Sequence, residues 1–139
     1  VFSGSSSEAR ILYMQTNGTV DAVRVFSLSA DWEPVLVGDF AGNSRGGILW
    51  QNVANDRASM FLMTTRTNYD SFNFDNVPLF AEWEARFAVD LNNNGRQDIV
   101  WYNPSTNQSA IWMMNGFVVE SSAVYGLPVN WSLSEVRSR

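Results

Sequence analysis

The chain has 139 residues, 45% of them hydrophobic and 14% aromatic, a composition that can form a core and that is too apolar for a disordered segment. It has no His, Cys or Lys, which excludes disulfides, thiolate metal sites and the commonest general base. The net charge of −5 argues against a nucleic-acid partner, and no apolar run is long enough to predict a membrane span.

A repeat with an offset of 51 residues dominates the sequence. Segments 32–63 and 83–114 share nine identical residues, and both copies contain two tryptophans at matching places. The matches are Trp, Glu, Asp, Asn, Arg, Ile, Trp, Asn and Met, at positions 32, 33, 39, 43, 45, 48, 50, 52 and 63 of the earlier copy. This agreement indicates that the chain is built from repeated units.

Residues 1–31 are predicted to form a first, partial unit. The stretch ILYMQ at 11–15 parallels ILWQN at 48–52 and IVWYN at 99–103. The chain begins where the first strand of the later units ends, so this unit lacks that strand. We therefore expect the chain to be a processed or excised piece. The sequon at Asn17, in a predicted turn, is a candidate glycosylation site.

Residues 32–82 and 83–130 are predicted to form two complete units. Each opens with a β-rich stretch, EPVLVGD or EARFAVD, and continues through a polar loop into a second strand. Turn clusters at 52–57 and 103–108 predict hairpins, and 117–127 supplies a fourth strand. No window has a helical apolar stripe. The fold is predicted to be all-β, a β-propeller-like array of about three four-stranded blades with an incomplete terminal blade.

The tryptophans recur at fixed positions of the units. Trp32, Trp83 and Trp131 occupy one position, and Trp50 and Trp101 occupy another. A residue that recurs at one place in every unit favours packing between blades over contact with a ligand.

Three aromatic residues are left without such a packing role. Tyr69, Phe72 and Phe74 lie in NYDSFNFDNVP at 68–78, which we interpret as an insertion. They are the candidate ligand aromatics if the protein binds sugars.

The loop DLNNNGRQD at 90–98 carries the pattern of a calcium site. Asp90, Asn92, Asn94 and Asp98 stand at positions 1, 3, 5 and 9, and Gly95 stands at position 6, where a tightly curled loop needs a positive φ. All four side chains offer the hard oxygen that calcium prefers.

The same loop departs from an EF-hand. Arg96 at position 7 would contribute its backbone carbonyl, but position 12 is Trp101 rather than a bidentate Glu, and strands flank the loop. Two carboxylates and two amides predict weak binding, at roughly 10⁻⁴–10⁻³ M. The earlier copy at 39–47 has Ala41 at position 3 and Gly47 at position 9, so one calcium site is predicted.

The stretch WEARFAVDLNNNGRQDIVW at 83–101 and its degenerate partner at 32–50 resemble the FG-GAP/VCBS family of calcium-binding propeller repeats. The resemblance covers essentially the whole chain and is most specific at 83–116. It implies calcium at Asp90, Asn92, Asn94 and Asp98. It also implies an extracellular module, as in adhesion domains, lectins and bacterial surface proteins.

The repeats do not close a ring by themselves, because propellers use four to eight blades. Residues 131–139 open a further unit and form an orphan first strand. That strand could complete the chain's own first unit, complete the first unit of a neighbouring molecule, or belong to a longer array. We hypothesise the second arrangement, with 131–137 as donor and 11–30 as acceptor. It gives a ring or a filament.

An enzyme is not expected, since the sequence shows no nucleophile motif and lacks His, Cys and Lys. Two functions stay open. The first is an extracellular or cell-surface calcium-binding protein with a structural or adhesive role, whose partner is itself. The second is a carbohydrate-binding propeller lectin or an adhesion module excised from a longer surface protein. Further sequons at Asn107 and Asn130 are candidate glycosylation sites.

Overall fold

The computed structural model of the protein describes residues 6–52, 54–55, 57–74, 82–128 and 130. Within these ranges the chain is all-β, as predicted, and no residue is helical. The strands are β1 (Ser6–Met14), β2 (Val20–Ser29), β3 (Trp32–Gly38), β4 (Gly47–Asn52), β5 (Arg57–Met63), β6 (Tyr69–Phe74), β7 (Glu84–Val89), β8 (Asp98–Asn103), β9 (Gln108–Asn115) and β10 (Val118–Gly126).

The strands form three antiparallel sheets. The first sheet pairs β1 with β2, the middle sheet has the order β3-β4-β5-β6, and the last sheet has the order β7-β8-β9-β10. Within each sheet every strand pairs with the strands next to it in the chain, so both four-stranded sheets are simple meanders. The fourth strand predicted at 117–127 is confirmed as β10.

The hairpin connections carry residues that tolerate a positive φ. Gly18 joins β1 to β2 with φ 83°, Asn107 joins β8 to β9 with φ 52°, and Gly116 joins β9 to β10 with φ 60°. Glycine adopts this conformation without steric cost, and asparagine tolerates it better than other side chains do. The turns predicted near Asn17 and at 103–108 are thereby confirmed.

The middle and last sheets repeat each other down to an irregularity in the backbone. The β3–β4 register shifts between Pro34 and Leu36, leaving Val35 as the extra residue. The β7–β8 register shifts between Ala85 and Phe87, leaving Arg86, which lies 51 positions later. A bulge at the same repeat position shows that the offset seen in the sequence is also the structural offset.

The middle sheet lies between the other two. One of its faces packs against the first sheet through a cluster of Phe26, Ile48, Trp50, Phe61 and Met63. Its other face packs against the last sheet through Phe40, Leu49, Ala58, Met60, Leu62, Phe74, Trp83, Ile99, Trp101, Ala110, Trp112 and Met114. Each fully buried large side chain contributes roughly 1.5–3 kcal/mol to folding. The packing role predicted for the tryptophans at 50, 83 and 101 is confirmed.

The first sheet departs from the predicted alignment. Ile48 faces back toward the first sheet, whereas Ile11, its predicted counterpart, faces forward onto the middle sheet. A shift of one residue reverses the face of every side chain in a strand, so Ile11 corresponds by facing to Leu49. In addition, β2 ends at Ser29 and β3 begins at Trp32, which leaves this unit two strands rather than three.

The orphan strand predicted at 131–139 lies outside the described residues. In the part of the chain that is described, no helix is long and apolar enough to cross a membrane.

Candidate metal centre

The loop before β8 is folded around the carboxylate of Asp90. Its Oδ1 accepts a hydrogen bond from the Asn94 amide at 3.1 Å, and its Oδ2 accepts one from the Gly95 amide at 2.8 Å. Oδ1 of Asn92 accepts from the Asn94 amide at 3.2 Å. Oδ1 of Asn94 accepts from the Arg96 amide at 2.8 Å. Three of the predicted ligand side chains therefore also hold the loop backbone.

Two residues of this loop have a left-handed conformation. Gly95 has φ 81°, which confirms the role predicted for it, and Asn93 has φ 58°. Asparagine reaches this region because its short polar side chain can bond locally. These two positions curl the chain tightly enough for the amides to turn inward onto Asp90.

Asp98, the first residue of β8, is fully buried. Its Oδ2 accepts the Leu91 amide at 2.9 Å, and its Oδ1 accepts the Met114 amide at 2.9 Å. The carboxylate therefore ties the start of the loop to β9. No cationic side chain within the described ranges forms an ion pair with it. A buried carboxylate without a counter-charge is costly unless a cation lies nearby or hydrogen bonds replace its hydration.

The loop before β4 is a conformational copy. Asp39 accepts the amides of Asn43 at 3.1 Å and Ser44 at 2.7 Å, and Asn43 accepts the amide of Arg45 at 2.9 Å. Its left-handed positions, Gly42 at φ 68° and Ser44 at φ 59°, lie 51 residues before Asn93 and Gly95. This backbone shape therefore needs neither the ligand at position 3 nor the one at position 9.

The two loops differ in what fills the space behind them. At the position of Asp98 the middle sheet has Gly47, where an added Cβ would lie 2.8 Å from Leu62 and 3.1 Å from Phe40. Phe40 is fully buried there. The amide of Met63, the counterpart of Met114, donates to the backbone oxygen of Gly46 at 3.2 Å instead of to a carboxylate. One loop has an apolar interior and the other a charged one.

Gln97 joins the two loops, and no motif in the sequence singles it out. The side-chain Oε1 of Gln97 accepts a hydrogen bond from the backbone amide of Asp39 at 2.7 Å. The backbone amide of Gln97 donates to the backbone carbonyl oxygen of Asp39 at 2.9 Å. Gly38 allows this approach, because a Cβ there would lie 2.4 Å from the Gln97 side chain. The repeat hides the residue, since its counterpart is Gly46. The one sequence feature that could have indicated this contact is Gly38, the glycine next to Asp39.

The donors of the last loop suit calcium chemistry. Within the described ranges no group of three or more carboxylates is arranged to hold a metal ion. The predicted set has two carboxylates, Asp90 and Asp98, together with the amides of Asn92 and Asn94 and the carbonyl of Arg96. Each carboxylate oxygen that accepts one amide retains a further lone pair for a cation. Calcium at these residues stays a prediction.

The candidate ligand aromatics lie on β6, a regular outer strand rather than an insertion. Tyr69 stacks on Phe61 with ring centroids 4.8 Å apart, and Phe72 stacks on Phe117 at 5.7 Å. Phe74 is buried and contacts Trp112 at 5.9 Å. All three rings therefore take part in packing, and sugar binding by them is untested.

The sequons lie in three different environments. Asn17 is exposed, and its Oδ1 accepts hydrogen bonds from both the amide and the hydroxyl of Thr19. Asn107 is half-buried, and its Nδ2 donates to the Pro128 carbonyl at 3.0 Å. Asn130 is exposed with φ 71°.

Comparison with protein-family models, with curated proteins and with solved structures found no match to this chain.

Proposed function

We propose that the protein is a non-enzymatic, extracellular calcium-binding repeat protein of the propeller-like FG-GAP/VCBS type, with a structural or adhesive role. In this proposal copies of the chain assemble head to tail, and each copy completes the first sheet of the next. The stacked meanders with a common bulge and a common loop support the repeat part of the proposal.

The incomplete first sheet carries the assembly part. Among the described residues β1 pairs with β2 alone, whereas β4 and β8, the second strands of the other sheets, each have a neighbour on both sides. β3 and β7 contact each other across the sheets, and β1 contacts β3. A strand paired with the free edge of β1 would hold in the first sheet the place that β3 and β7 hold in the other two sheets.

A groove lies beside that edge. It has a volume of about 250 Å³ and is lined by residues 8–10 of β1 and residues 34–37 of β3. An edge strand with unpaired backbone groups is a template for another strand, and a neighbouring chain can supply it. The donor in this proposal is 131–137, whose Trp131 has the repeat position of Trp32 and Trp83.

Calcium has a bracing role in the proposal. The buried Asp98 carboxylate lacks a cationic partner among the described residues, and a calcium ion held with Asp90, Asn92 and Asn94 would supply the charge. Gln97 in the same loop bonds to Asp39 in the middle sheet, so bracing the loop also steadies the joint between two sheets.

Truncation after Asn130 tests strand completion. The full chain should elute as an oligomer in size exclusion with light scattering, and the truncated chain should elute as a monomer. A synthetic peptide of residues 131–139 should bind the truncated chain, because its acceptor edge is intact. If the truncated chain assembles as the full chain does, strand completion is wrong.

A further inference from the structure

The outer face of the first sheet is exposed and is apolar toward the β1–β2 turn, whereas Glu8 and Arg10 carry charges toward its other end. Leu12 pairs with Val23, and Met14 pairs with Val20, so these four side chains lie on one side of the hairpin, together with Val25. All five are exposed large hydrophobic residues. The side chains between them along the strands, such as Ile11 and Phe26, face the middle sheet. We call this outer surface the head face.

The outer face of the last sheet is the opposite end of the stack. Its residues lie 51 positions after the middle-sheet residues that pack against the last sheet. Six of these positions are apolar in both sheets, among them Leu36 and Phe87, Leu49 and Val100, Met60 and Ile111, and Leu62 and Met113, whereas the counterparts of Val35, Ala41 and Ala58 are Arg86, Asn92 and Ser109. We call this surface, with Leu91 and Tyr125 at its margins, the tail face.

Val100, at the centre of the tail face, is 7% exposed, and the lack of a cover shows at the margins of the face. Phe40 is 0% exposed under the last sheet, whereas Leu91, its counterpart, is 45% exposed. Phe74 is 6% exposed, whereas Tyr125 is 54% exposed. The residue types suit a covered sheet, but within the described ranges no sheet covers them.

We infer that the head face of one copy packs on the tail face of the next, so that two copies continue the stack across their joint. The inference rests on the proposed head-to-tail assembly and names the surface that holds it. Exposed apolar faces of this kind mark interaction sites in soluble proteins.

A second copy fits the tail face because the chain already uses the same joint twice. At each internal joint the forward face of one sheet packs on the backward face of the following sheet. The tail face is a forward face, and the head face is the only backward face that the described sheets leave uncovered. A contact between two different faces of identical chains is heterologous, so it closes a ring or extends a filament.

The size of the head face indicates that it acts together with the donated strand. Two strands of nine and ten residues, at roughly 3.3 Å per residue and about 4.8 Å apart, present a surface of roughly 30 by 10 Å. Stable interfaces bury about 800 Å² on each partner. A third strand along β1 widens the face and adds backbone hydrogen bonds at the same joint.

Three substitutions to glutamate test the inference. Val23→Glu places a charge in the head face, and Tyr125→Glu places one at the margin of the tail face. Val124→Glu is the matched control, because Val124 adjoins Tyr125, is 53% exposed and lies on the opposite side of β10. Light scattering of the full-length variants should show self-association weakened roughly tenfold or more for the first two, with Val124→Glu assembling as the unaltered chain does.

Mixing the variants identifies the geometry of the joint. The Val23→Glu chain keeps an intact tail face, and the Tyr125→Glu chain keeps an intact head face. An equimolar mixture should form a discrete dimer of one chain of each kind, although neither chain associates alone. Circular dichroism spectra matching that of Val124→Glu, together with cooperative melting transitions, confirm that the variants are folded.

The outcomes separate this inference from the proposed function. If truncation after Asn130 abolishes assembly but both face variants assemble normally, the face joint is wrong and strand completion stands. If the face variants fail and the truncated chain assembles, the face joint stands and strand completion is wrong. An unaltered chain that stays monomeric overturns both.

Discussion

The loops before β4 and β8 have the same backbone but different interiors. Asp39 and Asp90 each accept two inward-pointing amides, at lengths that agree within about 0.1 Å. Behind the first loop lies the ring of Phe40, and behind the second lies the carboxylate of Asp98. The comparison shows that the leading aspartate sets the shape of the loop. The residue at position 9 sets its chemistry.

The two loops should differ most in the stability lost when the residue after the leading aspartate, Phe40 or Leu91, is replaced by alanine. Phe40→Ala leaves a cavity in the core between two sheets and should lower the free energy of unfolding by about 3–5 kcal/mol. Leu91→Ala, at the same repeat position, should change it by about 1 kcal/mol or less because Leu91 is 45% exposed. Urea unfolding in the Val23→Glu background removes any contribution from assembly. Equal losses for the two variants would contradict the comparison.

Asp98→Gly should convert the charged interior into the apolar one. The change leaves the amides of Leu91 and Met114 without their acceptor and should cost about 2–3 kcal/mol. Adding Leu91→Phe rebuilds the pair found in the middle sheet, Phe40 with Gly47, and should recover about half of the loss. A double variant no more stable than Asp98→Gly alone would show that the two loops are not interchangeable.

Features of the fold and of the loop that local residue patterns determine could be predicted from the sequence, and features that tertiary packing determines could not. The 51-residue offset, the hairpin turns and the positive φ of Gly95 follow from residue types at fixed spacing, and the structure confirms them. β6 was missed because its sequence mixes Asp, Ser and Asn with aromatics, and pairing with β5 overrides that composition.

Two further features depended on contacts between distant segments. The facing of β1 is set by its packing on the middle sheet, and a shift of one residue is invisible in an apolar run such as that around Ile11. The buried position of Asp98 likewise depends on the Met114 amide of β9, which the loop pattern does not contain.

Calcium should act on one loop only. At about 1 mM calcium and a Kd of about 10⁻⁴ M, binding adds about 1.4 kcal/mol, so a chelator should lower the melting temperature by a few degrees. Asp90→Asn should abolish this response, whereas Asp39→Asn, which alters the same two amide contacts in the other loop, should leave it intact. A chelator without effect on the unaltered chain, in differential scanning calorimetry, would rule out the calcium site.

The smallest effect concerns the margin of the first sheet. Side-chain hydrogen bonds from Gln15 and Arg66, and the charge of Arg66, lower the pKa of Asp21 in the folded protein. A lowered folded pKa stabilises the protein above the unfolded pKa, near 4, and that stabilisation is lost as the pH falls through the folded pKa. Asp21→Asn should therefore lower the melting temperature slightly at pH 6 and not at pH 2. A difference that grows toward low pH would have the wrong sign.

The native mass of the unaltered chain tests the central claim most directly, which is that the stack of sheets continues from one molecule to the next. Sedimentation velocity over a range of concentrations, with calcium present, should show species at multiples of 15.6 kDa that grow at the expense of the monomer. The result expected is a discrete ring or a distribution of filaments. A single species of 15.6 kDa at every concentration would contradict the account.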